Sequence, residues 1–136
     1  MRKSEIVATF TSDVNTVWNV VTNNEDYKWR SDIDHINILS DSDSFVEYSK
    51  GGFETKFIVT EKTECSRYEF RMENRMFTGD WTGLFFTTEN GGTKIIFTEN
   101  IQIINPIMEL LSYLFMSLHK MQTIYVNDLK KKLNES

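Results

Sequence analysis

The chain of 136 residues is the size of one domain, 1–136, able to bury about two-thirds of its unfolded surface in a single core without metals or disulfides. A formal charge of −5, with Lys130, Lys131 and Lys132 as the clustered cations, argues against nucleic acid as a partner, because phosphate binding needs gathered Lys and Arg. The lone Cys65 excludes an internal disulfide and any CxxC or zinc-type spacing, and fits a reducing compartment.

Residues 4–11 alternate, with Ile6, Ala8 and Phe10 on one side, and predict a strand. The stretch MRKSEIVATF has no apolar run of signal-peptide length, which points to a cytoplasmic protein. Ser12 is the expected cap of a short helix in which Val14, Val17, Trp18 and Val21 form a stripe at i, i+3, i+4 and i+7, ending near Asn23. A second short helical turn is expected over 25–29. The period then changes to two, with Ile36 and Ile38 inward and a turn at 41–44. Strands follow over 45–49 and from Phe53 through Thr55, Phe57 and Val59, joined at Lys50-Gly51-Gly52. Tyr68, Phe70 and Met72 alternate with Arg67, Glu69, Arg71 and Glu73, giving a strand with one dry and one wet face. Residues 77–88 and 93–104 form the last hairpin. A three-residue loop at Asn90-Gly91-Gly92 would face Phe85 with Phe97, Gly83 with Glu99 and Trp81 with Ile101.

Asn105-Pro106 opens a stretch without further Pro or Gly, predicting one helix of roughly 26 residues, about 40 Å long. Ile107, Leu110, Leu111, Leu114, Phe115, Leu118, Met121, Tyr125, Leu129 and Leu133 fall in one arc of about 140°. The three terminal lysines suit the negative end of the helix dipole. Met116 and Tyr113 lie outside the arc, so one of them is available for self-association, and a monomer or weak homodimer is expected. The apolar run 101–118 is interrupted by Gln102, Asn105, Pro106 and Glu109, which argues against stable membrane insertion.

Strands in sequence followed by a helix imply an α+β layer fold, and a sheet of about six to seven antiparallel strands curls by its own twist and bulges around a covering helix. This order, with Ser12-Asp13-Val14-Asn15-Thr16-Val17-Trp18 after the first strand, Tyr27-Lys28-Trp29, the Gly91-Gly92-Thr93 turn and the long terminal helix, resembles the START-like superfamily. That superfamily has the helix-grip, Bet v 1-like (SRPBCC) fold, with two short helices after the first strand, and includes polyketide cyclases and dehydrases and the activators of Hsp90 ATPase. Trp29-Arg30-Ser31-Asp32, Glu73-Asn74, Gly79-Asp80-Trp81-Thr82-Gly83 and Phe97-Thr98-Glu99 look like an uncharacterised bacterial branch of it. The resemblance implies a cavity between sheet and helix for a small hydrophobic or amphipathic molecule, and no particular reaction.

Phe57, Phe70, Trp81, Phe85 and Phe97 are the expected walls of that cavity, unless they fill the space themselves as close-packed interiors do. From the helix, Leu111, Leu114, Leu118 and Tyr125 are expected to point inward. Glu99 shares the parity of Ile95, Phe97, Ile101 and Ile103, which makes it either a polar anchor or acid/base on a pocket floor, or half of a structural ion pair with Arg30 or Lys56, unless the inward face of this strand is that of Ile96 and Ile104. The Tyr68 hydroxyl could orient a ligand carbonyl or meet a backbone acceptor. His35 and His119 are the two histidines, and with no HxH, HExxH or Cys/His cluster no metal site is expected. GxSxG, GxGxxG and GxxxxGK[ST] are absent, so no catalytic residues are assigned and no cofactor is expected. Three functions stay open: a carrier of a hydrophobic molecule, a cyclase- or dehydrase-like enzyme using Glu99 or Tyr68, and a protein-interaction module.

Overall fold

The alternation of apolar and polar residues places seven strands in one antiparallel sheet, seen in a computed structural model that describes residues 2–41, 43–107, 109–110 and 117–135. The elements in chain order are β1 (Arg2–Phe10), α1 (Val14–Thr22), β2 (Ile33–Ile38), β3 (Ser44–Ser49), β4 (Glu54–Thr63), β5 (Arg67–Glu73), β6 (Phe77–Thr87), β7 (Thr93–Ile103) and α2 (Leu118–Lys132). Strand order is β1-β7-β6-β5-β4-β3-β2, so only β1 leaves the hairpin sequence to pair with β7. The curved sheet and the C-terminal helix make the expected α+β helix-grip architecture.

The buried face of the sheet divides into two packed groups. Val17, Trp18 and Val21 of α1 join Phe10, Tyr68, Phe85, Ile95, Phe97, Val126 and Leu129 in the larger group. Phe45, Phe57, Met72, Phe77, Ile101, Ile103 and Leu118 form the other. Trp18 meets Phe85 edge-on, with centroids 5.0 Å apart, which locks α1 to β6.

Several details depart from the sequence expectations. Asp13, not Ser12, caps α1: its Oδ1 accepts the Thr16 N–H at 2.8 Å. Ser12 is engaged elsewhere, its N–H and hydroxyl donating to Glu135. The second short helix is absent, because residues 24–30 form turns closed by Asp26 N–H to Asn23 O and Arg30 N–H to Tyr27 O. In the last hairpin Phe85 faces Ile95, Gly83 faces Phe97 and Trp81 faces Glu99, two residues from the expected register. The loop is Glu89-Asn90-Gly91, with Gly91 at φ +84° accepting the left-handed conformation that closes a three-residue hairpin. A shift of two keeps parity, so every side chain stays on its expected face.

The single long helix is also corrected. Pro106, Ile107, Glu109 and Leu110 are helical, but Ser117 is extended (φ −102°, ψ 109°) and its hydroxyl accepts the Lys120 N–H, so α2 starts afresh at Leu118. A serine hydroxyl that competes for a backbone donor makes a helix start there rather than continue. Ile107 and Leu110, expected in the buried arc, are 73% and 70% exposed, and Met121 is also exposed. The expected roles of Leu111, Leu114, Phe115, Tyr113 and Met116 lie outside the described residues. None of the described helices is long and apolar enough to cross a membrane.

Polar clamps hold α2 on the sheet. Gln122, 6% exposed, accepts from the Ser4 hydroxyl at 2.7 Å and donates to the carbonyls of Ser4 and Phe97. Asp128 accepts the N–H and hydroxyl of Ser31, both at 2.8 Å, and Glu135 accepts from Thr11 and Ser12. Leu118 is buried between these clamps and the second core group. Leu118→Ala should therefore cost about 2–5 kcal/mol in chemical denaturation, as large-to-small core changes do. A loss below about 0.5 kcal/mol would mean that α2 does not seal this face.

Candidate functional site

Between the concave sheet face, the 23–32 segment and α2 lies a cavity of about 170 Å³. A dry cavity of about 150 Å³ accepts a benzene-sized guest, so this space suits a small ring or short chain. Its walls are aromatic because the dry faces of β3 to β7 converge there. Phe45 and Phe57 stack at 4.9 Å, Phe70 and Trp81 stack at 4.7 Å, and Trp81 leans on Phe97 at 4.7 Å. Trp81 can lie flat only because its neighbour two residues on is glycine: a Cβ at Gly83 would fall 2.6 Å from the indole ring.

Phe57, Tyr68, Phe70, Trp81, Phe97, Glu99 and Tyr125 from the sequence expectation all line this space. Phe85 does not, being packed among Trp18 and Phe97, and Leu118 is core rather than lining. Leu111 and Leu114 lie outside the described residues. The 23–32 segment was not anticipated as lining. It contributes Tyr27, Trp29, Arg30 and Asp32, with Trp29 edge-on to Tyr125 at 5.3 Å. Its sequence signals were the Tyr27-Lys28-Trp29 and Trp29-Arg30-Ser31-Asp32 runs and Arg30 as a candidate partner of Glu99.

Electrostatics in the cavity turn on Arg30. Its guanidinium donates to Glu47 at 2.8 Å and to both oxygens of Asp32 at 2.9 and 3.3 Å, and sits 5.0 Å from the centre of the Tyr125 ring. Although burial opposes its charge, Glu47 and Asp32 raise its pKa, so it is a permanent cation. This answers the ion-pair alternative for Glu99: Arg30 is taken by two other carboxylates, and Lys56 is exposed and makes no ion pair with Glu99.

Glu99 is left without a hydrogen bond or ion pair among the described residues. It stands opposite Trp81 on the neighbouring strand, and burial together with the negative field of Glu47 pushes its pKa from an ordinary 4.5 up to about 7. Two hydroxyls accompany it. Tyr68 accepts from Asn24 Nδ2 at 3.4 Å, which leaves its own proton to donate, and burial raises its pKa. Tyr125 makes no hydrogen bond among the described residues, and burial raises its pKa as well, against the pull of Arg30. No group of three or more potential metal ligands occurs among the described residues.

The carboxyl of Glu99 is more easily ionised unfolded than folded. Its favourable contribution is therefore complete below about pH 4.5 and is lost as pH rises through about 7. Glu99→Gln should be more stable than the native protein by about 1–3 kcal/mol near pH 8, with the gap closing towards pH 4.5. Thermal melts across that range check this, and equal stability at every pH would mean that the carboxylate is compensated.

No family model matches the sequence, and no curated protein matches it. Solved structures do. A START superfamily protein from Mycobacterium smegmatis is 11% identical, with a TM-score of 0.77 over 97% of this chain and 97% of that one. Protein XoxI from Bacillus cereus is 12% identical, with a TM-score of 0.78 over 97% and 95% of the two chains. A conserved protein from Geobacillus kaustophilus is 11% identical, with a TM-score of 0.74 over 98% and 95%. At such identities the likeness is one of fold, and the fold of this chain is the START-like helix grip.

Proposed function

We propose that the protein binds or carries a small hydrophobic or amphipathic molecule in the cavity between the sheet and α2. The apolar body of the guest rests on Trp81, Phe70, Phe57 and Phe97, and its polar end reaches Glu99 and the Tyr68 hydroxyl. One observation carries this reading: a space of about 170 Å³ remains inside an aromatic wall, beside the half-buried carboxyl of Glu99, which no described residue pairs. Protein interiors are normally close-packed, so an aromatic-walled space with a carboxyl turned to it fits a guest with an apolar body and a polar end. The shared fold with a START superfamily protein supports a cavity in this position.

The second reading is an enzyme of the cyclase or dehydrase kind. The observation in its favour is the Glu99 pKa of about 7, the range in which a carboxyl can both take and give a proton at neutral pH. Tyr68 would then polarise a carbonyl. The interaction-module reading rests on the acidic charge and on Met116, which lies outside the described residues, and gains nothing further.

An apolar fluorophore separates these readings. It should bind the native protein and be displaced by small apolar compounds. Trp81→Ala should weaken binding several-fold by removing the stacked wall, whereas Glu99→Gln should alter preference among polar head groups and leave apolar contacts intact. Small, equal effects from both variants would contradict the carrier reading. Turnover of a carbonyl substrate lost in Glu99→Gln would favour the enzyme.

A further inference from the structure

The cavity has an uneven inventory of charge. Facing it are four acids, Asp26, Asp32, Glu47 and Glu99, against one base among the described lining residues, Arg30. Asp26 is drawn to Lys132 at 3.2 Å, and Arg30 is shared by Asp32 and Glu47. Even with those pairs made, one negative charge of the Arg30 cluster and the whole of Glu99 remain unbalanced. The other titratable lining groups are Tyr27, Tyr68 and Tyr125, and α2 adds the neutral Gln122, whose amide is committed to Ser4 and Phe97. Among the described lining residues no cation is free to receive an anionic head group.

Glu99 is half-buried, lines the cavity and has no partner among the described residues, so it marks where the guest's polar end belongs. Its neighbour across the hairpin is Trp81, stacked on Phe70, and Phe97 is the next inward residue on its own strand. A carboxylate beside aromatic rings that line the same cavity is the chemistry that holds an ammonium, through a charge-assisted hydrogen bond on one side and ring quadrupoles on the other. A fatty or aromatic acid would meet a lining of net negative charge whose one described cation is already paired.

We propose that the guest of this cavity is an amine: a small aromatic or alkyl body bearing a protonated nitrogen, held by Glu99 against the Trp81 and Phe97 rings within the negative field of Glu47. This rests on the reading that the cavity takes an amphipathic guest, and specifies its polar end. Binding is then linked to protons. An ammonium needs Glu99 ionised, so affinity for amines rises as pH passes upward through the range where Glu99 titrates, while affinity for a neutral analogue stays flat.

The test uses three probes with one body, 2-phenylethylamine, 2-phenylethanol and phenylacetate, titrated calorimetrically into the full chain near pH 6 and pH 8. Near pH 8 the amine should bind about tenfold tighter than the alcohol, with the acid weakest, and the amine's advantage should shrink near pH 6. In Glu99→Gln the amine should fall to the level of the alcohol at both pH values. If that variant does not melt cooperatively, the pH series on the native protein decides alone. Alcohol or acid binding as tightly as amine near pH 8 would overturn the amine assignment while leaving the carrier reading intact. Binding of none of the three, together with no fluorophore binding, would overturn both.

Discussion

One buried guanidinium shared between two carboxylates sets the character of this molecule. Arg30 holds Asp32 from its own loop and Glu47 from β3, and its face covers Tyr125 of α2. The 23–32 segment, the sheet and the C-terminal helix thus meet at a single cation. Removing one member of such a cluster leaves the others buried and uncompensated, which is far costlier than losing an exposed ion pair. Because the cation is already committed, Glu99 receives no compensation, and the cavity keeps a carboxyl poised between its two protonation states near neutrality.

The cavity persists because its roof is fastened by polar contacts rather than by apolar packing alone. Gln122, Asp128 and Glu135 each tie the C-terminal segment to a different part of the chain: β1 and β7, the 31 position, and the start of α1. Satisfied buried polar groups fix one geometry where interchangeable apolar contacts would allow the helix to settle inward. The aromatic stacks beneath are similarly fixed. Phe70 and Trp81 are parallel within 3°, and Gly83 keeps the ring of Trp81 in place by having no Cβ to displace it. Stacked rings and a clamped helix leave a space that neither side can fill.

Much of this was legible in the sequence, for a specific reason. Strand parity survives register errors of two, so Tyr68, Phe70, Trp81, Phe97 and Glu99 reach the inner face although the final hairpin pairs differently from the expectation. What was hidden depends on long-range partners. Nothing in the local pattern joins Arg30 to Glu47, 17 residues away, or Asp128 to Ser31, 97 residues away. Gln122 falls within the apolar arc by its spacing from Leu118 and Tyr125, but no local signal names its partners on β1 and β7, nor that of Asp128 in the 23–32 segment. Ser117 is unremarkable inside a helical pattern, and only its extended backbone reveals that it starts a new helix. Phe85 has the composition of a wall residue, but Trp18 of α1 occupies the space in front of it.

The central claim is that Glu99 is a desolvated carboxyl facing the cavity without a partner among the described residues. Carboxyl-carbon NMR of the selectively labelled glutamates, followed from about pH 4 to pH 9 on the native chain with Glu99→Gln to assign the resonance, tests it directly. A midpoint near 7 is the expected result. A midpoint near the ordinary 4.5 would mean that Glu99 is solvated or already paired, and would contradict the cavity described here.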